Sequence, residues 1–332
     1  MHKNKPKVIL IMDFKPIRNN VVKGLRHPFK TVNIIGTRSL RKLKRLIWLS
    51  TNKKIALFPR EISDGLKIPF NLQLLNRDKF SIFSRSNHEM LLREIAITLI
   101  KNSNSSEPCL IVDIGAWIGD NAIVWAKYTE SKSIKILAID PSASNISFIR
   151  EISRINSIKN IDCVAAVCSS KAEDKYSLSE GNWNHGTFTV SHAMPSNKCI
   201  KSTTIDNLIK EKAPHHKLFL LHVDVEGMEP EVIEGAFHSI KENKAFVIFE
   251  NHIKTERVKF KAIINILSSA GYNIFMINEI IPGCRADCRN FLAIHRTKEG
   301  ILNKLQCCCE ALQSSESFTP ATVPDKALIQ IW

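Results

Sequence analysis

The chain has 332 residues, of which 44% are hydrophobic and 24% charged, with a net charge of +15. That balance excludes a wholly disordered chain, and no apolar run approaches the roughly 20 residues that a membrane helix requires. The charge is unevenly placed: residues 1–60 carry 16 Lys and Arg against one acid, Asp13, which accounts for the whole net charge and leaves the rest near neutral.

Residues 1–85 read as a basic extension of mixed structure. A helix is predicted near Ser39–Leu49, where Arg41, Lys42, Lys44 and Arg45 interleave with Leu40, Leu43, Leu46 and Ile47. Strand-like pieces follow at Lys54–Phe58 and Leu66–Ile68. Such an extension suits phosphates of a nucleic acid, an anionic surface or an acidic substrate, or is a solvated basic face. Val8–Met12 is too short for a signal-peptide core. The nine cysteines form no disulfide framework and no paired zinc motif. These features predict a cytoplasmic protein with reduced thiols.

A helix is predicted over Ser86–Lys101, capped by Ser86 or Asn87, with Met90, Leu91, Ile95, Leu99 and Ile100 as its apolar stripe. From Cys109 onward, strands alternate with helices. The strands are Cys109–Ile114, Ile134–Ile139, Ile161–Val167, Leu218–Val225, Ala245–Glu250, Tyr272–Ile277 and Phe291–His295. The helices are Asp120–Tyr128, Ser142–Asn156, Pro230–Ile240 and Arg257–Ala270. This rhythm predicts an α/β fold: a mostly parallel sheet covered on both faces, with one of the last two strands running antiparallel at an edge. The stretch Cys168–Thr204 interrupts the rhythm, and its Trp183 and His185 are candidates for an acceptor pocket, since such insertions commonly lie over the ligand end of a sheet. Residues 86–300 are thus the predicted catalytic domain, and 301–332 a C-terminal tail whose segment Ser314–Pro324 reads as irregular.

The clearest motif is Val112-Asp113-Ile114-Gly115-Ala116-Trp117-Ile118-Gly119-Asp120. It leaves an apolar strand and opens a helix, and its glycines permit a sharp turn and close packing. Two ligands use this geometry, dinucleotides and S-adenosylmethionine. A pyrophosphate needs bare N–H groups and no anions at the helix start, whereas Asp113 and Asp120 flank this loop and suit the ammonium of S-adenosylmethionine. Spacing of the G-x-G-x-x-G form is also absent. The second strand ends at Asp140-Pro141, where a carboxylate can accept from a ribose diol; the alternative is a plain helix cap. Asp162 or the backbone near Ala165–Val167, including Ala166, is placed to border the adenine.

Three segments together resemble the FkbM-type methyltransferases. Val112–Gly119 resembles the family's glycine-loop opening, and Ile139–Ser142 resembles its acid-Pro ribose turn. Val223-Asp224-Val225-Glu226-Gly227-Met228-Glu229, continuing through Val232–Ala236, resembles its DVEG block, with Thr203–Leu208 before it and Val247–Glu250 after it. The resemblance covers roughly residues 87–297. It implies a Rossmann-like class I methyltransferase fold, S-adenosylmethionine as donor and O-methylation of varied acceptors, sugars among them. His222 stands where the family often has Lys, so a role for that Lys does not carry over.

An alkyl hydroxyl is a weak acid, so methyl transfer to it calls for a base. Positions 222, 224 and 226 share one side if the strand stays extended, and Glu250-Asn251-His252 ends the neighbouring strand. Three readings stay open. Asp224 or His252 is the general base; Asp224, Glu226 and Glu250 hold a hard divalent metal; or Glu226 and Gly227 are structural. His222 reads as a hydrogen-bonded wall residue. The leading function is O-methylation of a sugar or other small molecule. The alternatives are an RNA methyltransferase using residues 1–60 and a non-catalytic protein that binds S-adenosylmethionine.

Overall fold

The computed structural model describes residues 60–61, 67–68, 89–103, 107–180, 188–192, 199–279, 288–309 and 326–332. The chain divides into two units, Met1–Leu57 and Phe58–Trp332. The first lies outside the described residues, as do the helix expected at Ser39–Leu49, the strand at Lys54–Phe58, the caps Ser86 and Asn87, Trp183, His185 and the segment Ser314–Pro324.

The second unit opens with a two-residue pair, β1 (Arg60–Glu61) antiparallel to β2 (Lys67–Ile68). It continues with α1 (Met90–Lys101), β3 (Cys109–Ile114), α2 (Ala122–Tyr128), β4 (Ile134–Asp140), α3 (Ala143–Ile155) and β5 (Ile161–Ala165). The interrupting segment follows, with β6 (Val167–Cys168), β7 (Lys175–Glu180), β8 (Phe188–His192) and β9 (Ile200–Thr203). Then come α4 (Ile205–Lys212), β10 (Lys217–Val223), α5 (Glu229–Gly235), α6 (Phe237–Asn243), β11 (Phe246–His252), α7 (Arg257–Ser269), β12 (Tyr272–Ile277), β13 (Cys288–His295), α8 (Leu302–Gln306) and β14 (Leu328–Gln330).

Eight strands make the main sheet in the order β14-β12-β13-β11-β10-β3-β4-β5, and β5, β4, β3, β10 and β11 are mutually parallel. The antiparallel β13 does not lie at the edge. It slots between β11 and β12, and the edge is formed by β14, antiparallel to β12. Pairing with β12 on one side and β11 on the other leaves β13 inside the sheet.

Alternation along the strands divides the core in two. Ile111, Ile136, Leu220, Ile248 and Leu292 face α1, α2 and α3, joined by Leu305, Cys308, Cys309, Ala327 and Leu328 from residues 301–332. Leu110, Val112, Leu137, Leu221, Val247 and Phe249 face α4 to α7. Strands buried on both faces read as near-continuous apolar runs, which is why β3, β4 and β11 were legible.

Boundaries moved where backbone geometry overrides pattern. The strand expected over Ile161–Val167 breaks at Ala166, and Val167–Cys168 pairs instead with β9 in a separate four-stranded sheet. The helix expected over Pro230–Ile240 is two, parted at Ala236, directly after Gly235 packs so tightly on Ser169 that a Cβ would lie 2.2 Å from its carbonyl oxygen. α1 starts at Met90 after Glu89, whose φ of 51° places it in the left-handed region. α3 and α4 begin as their sequences suggest, on Ser142 and Thr204, whose hydroxyls accept from the N–H groups of Asn145 and Asn207.

Candidate active site

The loop between β3 and α2 is built from three left-handed residues, Gly115 (φ 77°), Trp117 (φ 43°) and Gly119 (φ 82°). Gly115 has no room for a side chain, since a Cβ there would lie 1.6 Å from the Asp224 carbonyl oxygen. That contact locks the loop onto the exit of β10. The loop also spends its own donors. Gly115 and Ala116 both donate to Ile139 O at 2.9 and 3.0 Å, Gly119 donates to Ala116 O at 2.6 Å, and Trp117 donates to Asp140 Oδ2 at 2.9 Å. A loop with four N–H groups engaged in this way is no cradle for a pyrophosphate.

Asp140, at the end of β4, ties the loop to α3. Its Oδ1 accepts from Ser142 N (2.8 Å) and Asn145 Nδ2 (3.0 Å), and its Oδ2 from Trp117 N. A carboxylate offers about four acceptor positions, so one remains on Oδ2. Burial pushes this carboxyl up to about 6 despite the hydrogen bonds that pull it down. Ala165 is exposed beside it and Ala166 half-buried, with Ala166 N donating to Asp140 O. These residues share one edge of the sheet.

Asp162 does not join them. It pairs in register with Leu137, three residues below Asp140, and its carboxylate, 46% exposed, sits 2.7 Å from Lys135 Nζ. At about 3.3 Å per residue it lies roughly 10 Å from the edge. The apolar pattern of the strand expected over Ile161–Val167 carries no information on the register that fixes Asp162.

Asp113 and Asp120 flank the loop, but the chain's own cations engage them. Asp113 is 1% exposed, and its Oδ1 lies 2.7 Å from His222 Nδ1. Burial disfavours the imidazolium of His222, yet the hydrogen bond and charge of Asp113 outweigh it and hold the pKa above the ordinary imidazole value. The edge of Trp125 meets the His222 ring at 5.5 Å. Asp120 Oδ2 lies 3.0 Å from Arg93 on α1, which also donates through Nε to Asn121 Oδ1. Burial lifts the Asp120 carboxyl to about 6, with Arg93 pulling it back.

β10 ends at Val223, so the extended alternation through Glu226 does not hold. Glu226 (φ 54°) and Gly227 (φ 107°) turn the chain, and Glu226 is exposed. The turn is held by Glu229, whose Oε1 accepts from Val225 N (3.2 Å) and Gly227 N (2.9 Å). Burial raises its carboxyl to about 7. Asp224 stays close to the sheet, donating its N–H to Ile114 O. Burial, then the charges of Glu250, Glu89, Glu226 and Glu229, push its carboxyl well above the ordinary range. Carboxylate oxygens of Glu89, Asp224 and Glu250 lie within 4.8 Å of one another. His252 Nε2 is 3.5 Å from Glu250 Oε1 and 3.9 Å from Glu226 Oε2.

Sequence reasoning missed Glu89, Arg93, Glu229, Glu279 and Asn290. Glu279 Oε1 accepts from Leu92 N, and burial raises its carboxyl to about 7. Asn290 Nδ2 donates to Glu89 Oε1 at 3.5 Å. Arg93 is detectable as a cation inside an apolar helix stripe, and Glu229 as the third acid of the DVEG block.

Among the described residues, no helix is long and apolar enough to cross a membrane. No curated protein matches the chain. Three similar solved structures are methyltransferases of low identity. A methyltransferase FkbM from Methylobacillus flagellatus KT shares 17% identity at a TM-score of 0.42, over 59% of this chain and 45% of that one. A SAM-dependent methyltransferase from Aquifex aeolicus shares 14% at 0.34, over 65% and 98%. An rRNA methylase from Streptococcus thermophilus shares 8% at 0.38, over 63% and 97%. This chain therefore spans less than half the length of the Methylobacillus protein. The methyltransferase FkbM domain profile matches residues 113–274, from the end of β3 into β12. Over those residues the chain is similar to the methyltransferase FkbM domain.

Proposed function

We propose that this domain transfers a methyl group from S-adenosylmethionine to a hydroxyl of a sugar or other small molecule. The observation that carries the reading is the β3–α2 loop, whose N–H groups are spent within the chain while Asp140 keeps one acceptor position beside it. A nucleoside ribose fits such an edge and a pyrophosphate does not. Gly115, Ala116 and Gly119 shape the cradle, Asp140 takes a ribose hydroxyl, and Ala166 borders the base. Asp113 and Asp120 brace the cradle through His222 and Arg93. When bound, the sulfonium supplies an already activated methyl carbon, whose bonding electrons return to sulfur as the carbon–oxygen bond forms.

The chain's own residues then have two tasks, orientation and proton removal. Asp224, Glu226 and His252 are the groups placed to take the hydroxyl proton, Asp224 being held against the loop by the Gly115 contact. The 16 cations of residues 1–60 favour RNA as the alternative acceptor, and steeply salt-dependent RNA binding would shift the assignment to it.

Calorimetric titration with S-adenosylmethionine and its demethylated product tests the reading. One site per chain for both is expected. A folded protein that takes up neither contradicts it.

A further inference from the structure

The polar side chains at the end of β11 continue onto β13. Glu250 and His252 alternate along β11, and Cys288 and Asn290 along β13, with His252 opposite Cys288 and Glu250 opposite Asn290. Residues two apart share a face, and directly opposed Cβ atoms are about 5 Å apart. The four side chains therefore form a two-by-two patch on the face that carries Ile248 and Leu292 deeper in the sheet.

Glu250, His252 and Cys288 are all buried, and one ligand atom of each lies within 4.8 Å of the other two. The His252 Nε2 to Glu250 Oε1 separation is 3.5 Å. Tetrahedral zinc, with bonds of about 2.0–2.3 Å, holds its ligand atoms about 3.3–3.7 Å apart. That pair already stands at ligand spacing. A thiol, an imidazole and a carboxylate together form a donor set suited to zinc, unlike the all-oxygen set of magnesium. The surroundings also favour a dication. Asp224 and Glu89 add two carboxylates within 4.8 Å of Glu250, and buried like charges at that range are costly without a counter-ion. Asn290, 5% exposed, keeps its Oδ1 without a hydrogen-bond partner.

We propose that Glu250, His252 and Cys288 bind one zinc-class divalent cation, with its open position toward Glu226 and the acceptor. The proposal rests on the methyltransferase reading for its purpose: the cation would hold the acceptor oxygen and make its hydroxyl more acidic. Through Nε2, His252 is then a metal ligand rather than the base, which leaves Asp224 and Glu226 to receive the proton.

The test uses the full chain, freed of metal with a chelator and titrated with Zn²⁺ and, separately, with Co²⁺. The expected result is one equivalent bound and a near-ultraviolet thiolate-to-cobalt charge-transfer band. Cys288→Ser should abolish the band and weaken zinc binding at least tenfold. His252→Gln should weaken zinc binding while keeping a thiolate band, which covers the case in which Cys288→Ser fails to fold. Titration of the same samples with S-adenosylmethionine separates the two readings: metal uptake without nucleoside binding sustains the site and sinks the function. Normal nucleoside binding with no zinc or cobalt uptake overturns the site. Magnesium binding with no thiolate band also overturns it, in favour of the carboxylates Glu89, Asp224 and Glu250 alone.

Discussion

The two halves of the sheet edge solve opposite electrostatic problems. Around β3 and β4, polar groups find partners within the chain: the loop N–H groups go to Ile139 and Asp140, Asp113 goes to His222, and Asp120 goes to Arg93. Around β10, β11 and β13, carboxylates crowd within 4.8 Å of one another, and burial and then that crowding raise the Asp224 carboxyl. The first half is preorganised as a rigid cradle. The second stores unfavourable charge that a cation or an arriving proton relieves, which is the behaviour expected where chemistry takes place.

Replacing Gly115 by Ala should have the largest effect, because it breaks the contact joining the two halves. A Cβ 1.6 Å from Asp224 O, at a φ of 77°, predicts a loss above about 4 kcal/mol, read by denaturant unfolding. Gly300→Ala, with nothing within 4 Å, is the matched control and should stay within about 0.5 kcal/mol.

Asp224→Asn tests the crowded half alone. We expect turnover to fall by about 10²–10⁴ while S-adenosylmethionine affinity barely changes. A non-catalytic protein would keep its function through this substitution.

Asp140→Asn tests the cradle alone. The ribose bond favours the carboxylate, and burial places that carboxyl near 6. Affinity in the native chain should therefore fall as pH drops from 7 to 5, since protonation removes the charge-assisted acceptor. The variant should bind about 10- to 100-fold more weakly at pH 7.5, matching the roughly 1.5–3 kcal/mol of a hydrogen bond to a charged group, and should show little pH dependence. Calorimetry at several pH values reads both.

The smallest effect belongs to Asp162→Asn, in the exposed pair with Lys135. Nucleoside affinity should not change, and stability should move by less than about 0.5 kcal/mol. A tenfold loss of affinity would return Asp162 to the site.

The sequence made the first half more legible than the second for a physical reason. A tight turn and a strand-end acid are local, so Gly115, Gly119 and Asp140 announce themselves within a few residues. Partnerships across the sheet are not local. Nothing in the neighbourhood of Asp113 points to His222, 109 positions away, nor in that of Glu89 to Asn290, 201 positions away. Asn290, and the place of Cys288 on a strand, are not legible because the apolar run begins at Phe291 and their polar alternation lies before that boundary. The alternation assumed for Glu226 failed because Glu226 and Gly227 both take positive φ and end the extended chain.

The most direct test is a crystal structure of the protein with S-adenosylhomocysteine. The account predicts a ribose hydroxyl on Asp140 Oδ2 and the sulfur above the β3–α2 loop on the side of Asp224. A nucleoside bound elsewhere, with Asp140 contacted only by Trp117, Ser142 and Asn145, would contradict it.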